Sequence, residues 1–462
     1  MSNVLKKVKN IFFKNYPRTF LTIYLIFGFI GGFLLWLPFS HEGSLSFIDS
    51  LFVSVSAMST TGLTPVPLTT TFTVVGKIIL ILIMQVGGLG IYMLIANFWI
   101  FSGRKIGISE RAMLAQEQNL FSLKGIIRNM KHVFITIMSI QLVSIIFLSI
   151  MFYFNHSIGD LNLGESIFQA VFLTTALFMN AGFDIFTGGF VFGDLLTNGQ
   201  YIIILWAMLL IFIGGVGFIP ISEMIDKIIS KIKKNEHKFS YVAKVLFWTH
   251  LGLFIFSGLI FYLLEMNGVL KGLGFGNAIT ASFFTSISSR SAGFSILNTT
   301  NPMLLRSSTQ FFMILLMFIG ASPNSAGGGI RITTALLAIA GVIRFGLNRP
   351  QTKIGRRAYK ENTVQKAMVA LLTAMILLSI SIFLITIIEN NDVFDTTFEV
   401  ISAFGTVGYT NGLTASASLW SKIILLFIMF VGRISVITLI SVVDLRKKEQ
   451  GYLLTEFDLM VS

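Results

Sequence analysis

The sequence has no cysteine and few charged residues. Without cysteine it can form no disulfide framework, no thiolate metal site and no cysteine nucleophile. Only 12% of its 462 residues are charged, against roughly 25% in an ordinary globular protein, and 54% are hydrophobic. So few charges cannot cover a water-facing surface. The five histidines lack the spacing of metal ligands. The composition therefore excludes an ordinary soluble enzyme and predicts a polytopic membrane protein.

Long apolar runs recur in a regular order. Eight stretches reach the roughly 20 residues that a helix needs to span a membrane. They are 19–38, 73–101, 133–154, 201–222, 243–265, 310–340, 367–388 and 421–442. Within each successive pair lies an apolar stretch too short to cross, which suits a re-entrant segment. These four are 47–58, 165–178, 277–289 and 395–404. The pattern predicts an all-α polytopic membrane protein with four helix–pore loop–helix repeats in a pseudo-fourfold arrangement, comprising eight transmembrane helices and four re-entrant pore helices.

Positive charge lies mostly on one side of this topology. Of the 34 Lys and Arg residues, 27 fall in the N-terminal arm, the loops between repeats and the C-terminal tail. Five, including Arg290 and Lys422, fall on the opposite side, and Arg331 and Arg433 lie at membrane depth. The positive-inside rule places the 27 in the cytoplasm, together with both termini. The net charge of +13 is thus a topology signal that also suits anionic membrane lipid, and we expect no nucleic-acid partner.

The repeats and the charged loops divide the chain into consecutive segments. The predicted segments are a cytoplasmic N-terminal arm (1–18), repeat 1 (19–101), a cytoplasmic loop (102–132), repeat 2 (133–222), a cytoplasmic loop (223–242), repeat 3 (243–343) with an interrupted stretch at 321–330, a cytoplasmic loop (344–366), repeat 4 (367–444) and a cytoplasmic C-terminal tail (445–462). Each repeat is thus a copy of one unit, and the chain forms a single fourfold assembly.

A small polar segment built around a glycine follows each short stretch. The predicted ion-binding residues of these segments are Thr60, Thr61, Gly62, Asn180, Ala181, Gly182, Ser291, Ala292, Gly293, Thr406, Val407 and Gly408. Irregular backbone at membrane depth is tolerated only where it is buried or lines a cavity, and carbonyl oxygens there can replace an ion's hydration shell. One such segment alone would more often serve helix packing. Four at equivalent positions favour a selectivity filter.

Other residues support the short helices. Asp49, Glu165 and Asp395 stand near the starts of three of them, where negative charge is favourable, and Asn277 is a possible cap for the third. The glycine-rich runs 86–90 and 213–217 lie inside second helices, where close packing is the expected use.

The fourth polar segment carries a family resemblance. Thr406-Val407-Gly408-Tyr409-Thr410 is close to the potassium-channel filter sequence T-V-G-Y-G. With its fourfold organisation in one chain, the sequence resembles the Trk/Ktr/HKT superfamily of potassium transporters over nearly its whole length, and the Ktr membrane subunit most. The resemblance implies potassium uptake without enzymatic activity, with potassium bound by backbone carbonyls. Gly62, which is serine in the sodium-permeable plant branch, implies potassium selectivity.

The stretch 310–340 contains a predicted break. Pro323 and three consecutive glycines disfavour a continuous helix there. The resemblance implies an intramembrane gating loop at 321–330 beneath the filter, although a static kink remains an alternative. Its predicted gate residues are Asn324, Ser325, Gly327, Gly328, Gly329 and Arg433.

Arg433 is the most informative charge, because an arginine at membrane depth is costly. The resemblance places it in the pore below the filter, and the alternative is that it locks the fourth repeat to its neighbours. Ser435 and Val436 follow where the family has Gly and Pro, which leaves a helix kink open. We expect Arg331 to extend toward the cytoplasm.

The resemblance also implies partners. It predicts a homodimer, with the C-terminal tail in the interface, and a cytosolic regulatory ring of nucleotide-binding subunits. No cofactor is expected on this chain, so ATP, ADP or NAD would bind only the partner, and sodium activates several members.

One rival function is that of a secondary transporter for another cation or small solute, a class that commonly uses inverted repeats. The other, an intramembrane enzyme, would need convergent His, Asp or Cys side chains, which the spans lack.

Overall fold

The structure, a computed structural model, describes residues 16–104, 106–117, 126–155, 161–186, 191–232, 234, 239–297, 305–355 and 357–442. Nearly all of the predicted N-terminal arm and the whole predicted C-terminal tail lie outside the described residues, as does part of the predicted loop at 102–132.

The four repeats share a first helix, a short helix and a second helix in two parts, and repeats 1, 2 and 4 have one more helix of four to seven residues before the second helix. Repeat 1 comprises α1 (Tyr16–Trp36), α2 (Phe47–Ser59), α3 (Leu68–Thr71), α4 (Val74–Leu89) and α5 (Ile91–Phe101), followed by α6 (Ile108–Glu117). Repeat 2 comprises α7 (Ile126–Phe154), α8 (Leu163–Phe178), α9 (Val191–Thr197), α10 (Tyr201–Val216) and α11 (Phe218–Ile232). Repeat 3 comprises α12 (Tyr241–Glu265), α13 (Phe275–Ser288), α14 (Ser307–Phe318) and α15 (Ile332–Gly346). After strands β1 (Thr352–Ile354) and β2 (Arg357–Tyr359), repeat 4 comprises α16 (Glu361–Glu389), α17 (Val393–Gly405), α18 (Leu413–Ser416), α19 (Leu419–Ile434) and α20 (Val436–Val442).

The short helices α2, α8, α13 and α17 coincide with the predicted re-entrant stretches to within two residues. Three of them begin with a side-chain cap, and in α8 the carboxylate of Glu165 and the amide of Asn162 form a capping box. The predicted cap Asn277 is wrong, because α13 begins two residues earlier, after Gly274. Asn277 instead accepts a hydrogen bond from the hydroxyl of Tyr201.

The long helices run past the apolar stretches that predicted them. Helix α7 begins seven residues before 133, and α16 begins six residues before 367. Helix α11 continues ten residues beyond 222 into the predicted loop 223–242. Hydropathy identifies only the apolar part of a helix. The helix itself can continue through charged residues whose side chains reach water, so its ends lie beyond the apolar stretch.

The second helices of repeats 1, 2 and 4 are each broken within the predicted spans, which the sequence did not predict for repeats 1 and 2. The breaks lie at Gly90 (φ 93°), Gly217 (φ 97°) and Ser435 (φ 87°), a left-handed region that ends an α-helix. Helices α10 and α11 are bent by 109°. In repeat 3, where a break was predicted, a loop of residues 319–331 separates α14 from α15. All four second helices are therefore interrupted at a comparable place.

Span length alone does not yield eight crossings. Among the described residues, α7, α12 and α16 are each long and apolar enough to cross a membrane, and two bent pairs raise the number to five. The interruptions shorten the other second helices below this length. The eight-span topology therefore stays a prediction.

The all-α prediction needs one correction. Within the predicted loop 344–366, β1 and β2 pair antiparallel in a small hairpin, with Thr352 opposite Tyr359. Gly355 at its turn has φ 58°, which suits the reversal. The hydroxyl of Tyr241 donates to the carbonyl of Ile354 and attaches the hairpin to α12.

The repeats pack in a closed circular order. The second helices α4, α10, α14 and α19 each contact the short helix of the next repeat, and α19 closes the circle on α2. At this closure Lys422 Nζ lies 2.7 Å from Asp49 Oδ1, with both side chains mostly buried.

Three equivalent glycines allow the second helices to approach the short helices. A Cβ atom at Gly87 would lie 1.9 Å from the carbonyl oxygen of Met58. The corresponding distances are 2.0 Å for Gly214 to the Phe178 carbonyl oxygen and 1.9 Å for Gly432 to that of Phe404. Each carbonyl belongs to the residue four places before a predicted filter glycine. The packing predicted for the glycine-rich runs is thus present, and it supports the ends of the short helices.

This contact predicts that Gly87→Ala destabilises the protein. The added methyl group must displace the Met58 backbone. We therefore expect the free energy of unfolding to fall by about 1–3 kcal/mol or more, with a clear fall in melting temperature. The measurement is retention of the monodisperse peak after heating in detergent. Gly252→Ala in α12 is the matched control, because nothing lies within 4 Å of its Cβ position. Equal melting of the two variants would contradict the proposed packing.

Candidate functional site

The four polar segments meet in a closed ring. A Cβ atom at Gly62 would lie 2.6 Å from the Ala181 carbonyl oxygen. The same relation joins each segment to the next in circular order. The distances are 2.9 Å from Gly182 to the Ala292 oxygen, 1.9 Å from Gly293 to the Val407 oxygen and 2.2 Å from Gly408 to the Thr61 oxygen. Each glycine therefore faces the carbonyl that precedes the neighbouring glycine, and no side chain fits between them.

The structure brings all twelve predicted ion-binding residues together. The eight that are not glycine are at most 3% exposed. In segments 1, 2 and 4, the residue two places before the glycine has a left-handed backbone: Thr60 (φ 58°), Asn180 (φ 52°) and Thr406 (φ 51°). The following residue donates its N–H to a carbonyl five residues earlier, which ends the short helix and reverses the chain.

Serine hydroxyls fix two of the glycines from behind. Ser56 Oγ accepts from the N–H of Gly62 at 3.1 Å, and Ser402 Oγ accepts from that of Gly408 at 3.2 Å. These bonds fix the N–H groups of both glycines to the short helices that precede them.

The predicted gating loop lies directly against this ring. Thr60 Oγ1 donates to the Ala326 carbonyl at 2.9 Å, and the N–H of Gly328 donates to Thr406 Oγ1 at 2.8 Å. A Cβ atom at Gly327 would lie 2.4 Å from Ser291 Oγ. The loop therefore contacts Thr60, Ser291 and Thr406, the residue two places before the glycine in three of the four segments.

The helix breaks hold the loop in place. A broken helix leaves carbonyl oxygens without partners, and the loop supplies N–H groups to them. Ala326 N donates to the Gly214 carbonyl at 3.1 Å, and Gly329 N donates to the Gly432 carbonyl at 3.1 Å. Another loop bond of this kind runs from Ser322 N to the Gly215 carbonyl at 3.1 Å.

The remaining predicted gate residues fix the shape of the loop. Asn324 has φ 58°, and its carbonyl accepts from Phe218 N at 2.7 Å, at the start of α11. Ser325 Oγ donates to the Ser322 carbonyl at 2.6 Å. These bonds hold the loop in a compact turn and attach it to the break between α10 and α11.

Arg433 supplies the corresponding bonds in repeat 1. Its Nη2 donates to the carbonyls of Gly87 and Gly88, the latter at 3.0 Å, and its Nη1 donates to the Ala326 carbonyl and to Thr60 Oγ1, the latter at 3.3 Å. The side chain is only 8% exposed, and its contacts are neutral oxygens. Arg433 thus joins the fourth repeat to the loop, the first polar segment and the first helix break, as the locking role requires, and its place in a pore stays a prediction.

Two other arginines make contacts that the sequence did not predict. Arg331 donates to the Gly327 carbonyl in the loop, and its extension toward the cytoplasm stays a prediction. Arg290 was assigned to the outer side, yet it is 2% exposed and contacts His250 within the protein.

Sequence reasoning missed the buried carboxylate of Glu399 in α17. It accepts from Thr410 Oγ1 at 2.8 Å and from the N–H groups of Asn411 and Thr414 at 3.0 and 3.1 Å. It therefore fixes the chain that leaves the fourth segment. An acid in the middle of the short helix, beyond the first turn where Asp395 is expected, is the signal that could have identified it.

Ser435 has a backbone that its side chain disfavours. Its φ of 87° and ψ of 135° match the conformation of Gly90 and Gly217 at the equivalent breaks. For a residue other than glycine this conformation costs on the order of 1–3 kcal/mol. The kink in the fourth repeat thus forms without the family's Gly and Pro, at the expense of local strain.

We therefore expect Ser435→Gly to raise the free energy of unfolding by about 1–3 kcal/mol. The measurement is a higher melting temperature of the detergent-solubilised protein. Ser435→Ala keeps the strain and should give no gain. If both variants melted alike, the backbone at 435 would not be strained.

Comparisons with known proteins agree in the family they indicate. The family model for TrkH, described as a cation transport protein, matches residues 18–453. The Ktr system potassium uptake protein D of Bacillus subtilis is 33% identical over 91% of this chain and 91% of its own length. The potassium/sodium uptake protein NtpJ of Enterococcus hirae is 28% identical over 94% of each chain. The crystal structure of the potassium transporter TrkH from Vibrio parahaemolyticus shares the fold, with a TM-score of 0.67 over 92% of this chain and 83% of that one at 17% identity.

Proposed function

This chain belongs to the TrkH family of cation transport proteins, and from that membership we propose that it takes up potassium ions across the bacterial plasma membrane as a multi-pass protein. The ring formed by Gly62, Gly182, Gly293 and Gly408 carries the proposal. Potassium gives up its hydration shell there in exchange for the carbonyl oxygens beside the glycines. Because these dipoles favour a cation, selectivity needs no charged side chain.

The loop at 321–330 acts as the gate. It covers the inner end of the ring and is held by single backbone hydrogen bonds to the helix breaks. Arg433 adds a positive charge beside Thr60, where it opposes cation passage. Withdrawal of the loop and of the guanidinium opens the path, and an inward-negative potential favours entry by about 2.3 kcal/mol per charge per 100 mV.

A separate cytosolic ring of nucleotide-binding subunits controls this gate. It docks on the cytoplasmic face of a homodimer, where positive charge is concentrated. Any ATP, ADP or NAD binds those subunits. Sodium is a second candidate ion or an activator, and the potassium/sodium uptake activity in the name of the Enterococcus hirae relative supports testing it.

The decisive test is growth of a potassium-uptake-deficient bacterium at limiting potassium. We expect this chain, co-expressed with the regulatory subunit of a Ktr system, to restore growth and rubidium uptake. Absence of rescue, with the protein present in the membrane, would overturn the proposal. Uptake of a different solute without potassium would favour a secondary transporter.

In the same growth experiment, Gly62→Ser tests whether segment 1 contributes to ion selectivity. A serine side chain would collide with the Ala181 carbonyl and distort one quarter of the ring. We expect rescue that is weaker and more easily inhibited by sodium. Unchanged competition between the two ions would argue that segment 1 does not line the filter.

The gate predicts that Arg433→Gln raises potassium flux. The variant removes the charge and most of the bonds to Gly87, Gly88 and Ala326, each worth about 1.5–3 kcal/mol when charge-assisted. We expect at least a roughly tenfold rise in rubidium flux into proteoliposomes without nucleotide. Arg344→Gln, which disrupts an exposed pair with Glu361, should leave the flux unchanged. An equally low flux in both variants would contradict the role of Arg433.

A further inference from the structure

The third segment of the ring is built differently from the other three. Ser291 occupies the position of Thr60, Asn180 and Thr406 but does not have their left-handed backbone. The N–H groups of Ala292 and Gly293 both donate to the Ser288 carbonyl, at 2.9 and 3.0 Å. The turn is therefore shifted by one residue here, because the N–H that donates to a carbonyl five residues earlier belongs to Gly293 (φ 70°) itself. The residue before the Ala292 carbonyl thus lacks the left-handed backbone that precedes the ring carbonyls of the other segments.

Arg290, the residue before Ser291, supplies a buried anchor. Its Nη2 lies 3.0 Å from His250 Nδ1, and its Nη1 donates to the His250 carbonyl at 3.3 Å. Both side chains are at most 3% exposed. Among the described residues no carboxylate contacts this guanidinium, so its charge is stabilised by an imidazole and a carbonyl alone. Such a buried cation is costly, and structures retain it where its position matters.

His250 is itself fixed between two parts of the site. It lies on α12, and a Cβ atom at Gly215 would be only 3.0 Å from its Cε1 atom. The Gly215 carbonyl accepts from Ser322 N in the gating loop. Because Nδ1 accepts from Arg290, the imidazole proton is on Nε2. The imidazole therefore cannot turn without disturbing either the third segment or the helix break that holds the loop.

We propose that Arg290 is a positioning residue for the ion ring, which acts through His250 to set the Ala292 carbonyl in the third repeat. It adds a side-chain anchor to the one segment in which the residue two places before the glycine is not left-handed. The planar guanidinium reaches two acceptors at once, which a lysine ammonium on a flexible stem cannot reproduce. This inference rests on the proposed function, because the ring must first bind potassium.

The test is the selectivity of rubidium uptake against sodium in proteoliposomes. His250→Leu removes the imidazole acceptor, and Arg290→Lys removes the fork while keeping the charge. We expect each to reduce the potassium-to-sodium preference roughly tenfold, the effect of losing one charge-assisted hydrogen bond. The double variant should lose no more than either single variant, since both changes remove the same contact.

Two further variants separate positioning from general damage. His250→Asn keeps a side-chain acceptor and should remain within a few-fold of the wild-type selectivity. Arg306→Gln removes an arginine from the same repeat that contacts the carbonyls of Leu264 and Asn267, and it should leave selectivity unchanged.

Wild-type selectivity in His250→Leu and Arg290→Lys, with protein in the membrane, would overturn the inference. So would additive losses in the double variant, or a His250→Asn variant as unselective as the leucine variant. If the wild-type chain transports no potassium at all, the proposed function fails instead, and the two failures are thereby distinguished.

Discussion

The structure depends on the carbonyl oxygens that are left without helix partners where the second helices break. Each such oxygen costs several kcal/mol if it is left unpaired in a membrane. The equivalent oxygens of Gly87, Gly214 and Gly432 receive hydrogen bonds from Arg433, Ala326 and Gly329. The loop and the arginine thus pair oxygens that the broken helices leave free, and in the proposed function they also close the ion path. A gate built in this way can open only if other groups or water take over these bonds.

The glycine ring follows from the same geometry. The second helices come within contact of the short helices because Gly87, Gly214 and Gly432 have no side chain. That contact supports the last turn of each short helix, from which the chain turns back through the ring. In the fourth repeat the arrangement persists with serine at 435, where the equivalent breaks have glycine, which indicates that packing around the break outweighs the local strain.

The sequence predicted the repeats, the short helices and the ring residues, because these depend on apolar length and on one recurring glycine position. The family resemblance is confirmed. The breaks at Gly90 and Gly217 were not predicted, and the one at Ser435 was left open, because a straight helix and a bent one have the same apolar pattern in the sequence. The contacts of two arginines were not predicted for a related reason. The partner of Arg290 is distant in sequence, and the partner of Arg331 is a carbonyl that only the irregular backbone of the loop leaves available.

Rubidium bound to the crystallised protein tests the central claim most directly, because its anomalous scattering locates the ion without reference to transport. The account predicts one strong peak on the axis of the ring, among the carbonyl oxygens of Thr61, Ala181, Ala292 and Val407. A peak that is absent from the ring, or found only at carboxylates such as Asp49 or Asp395, would contradict it.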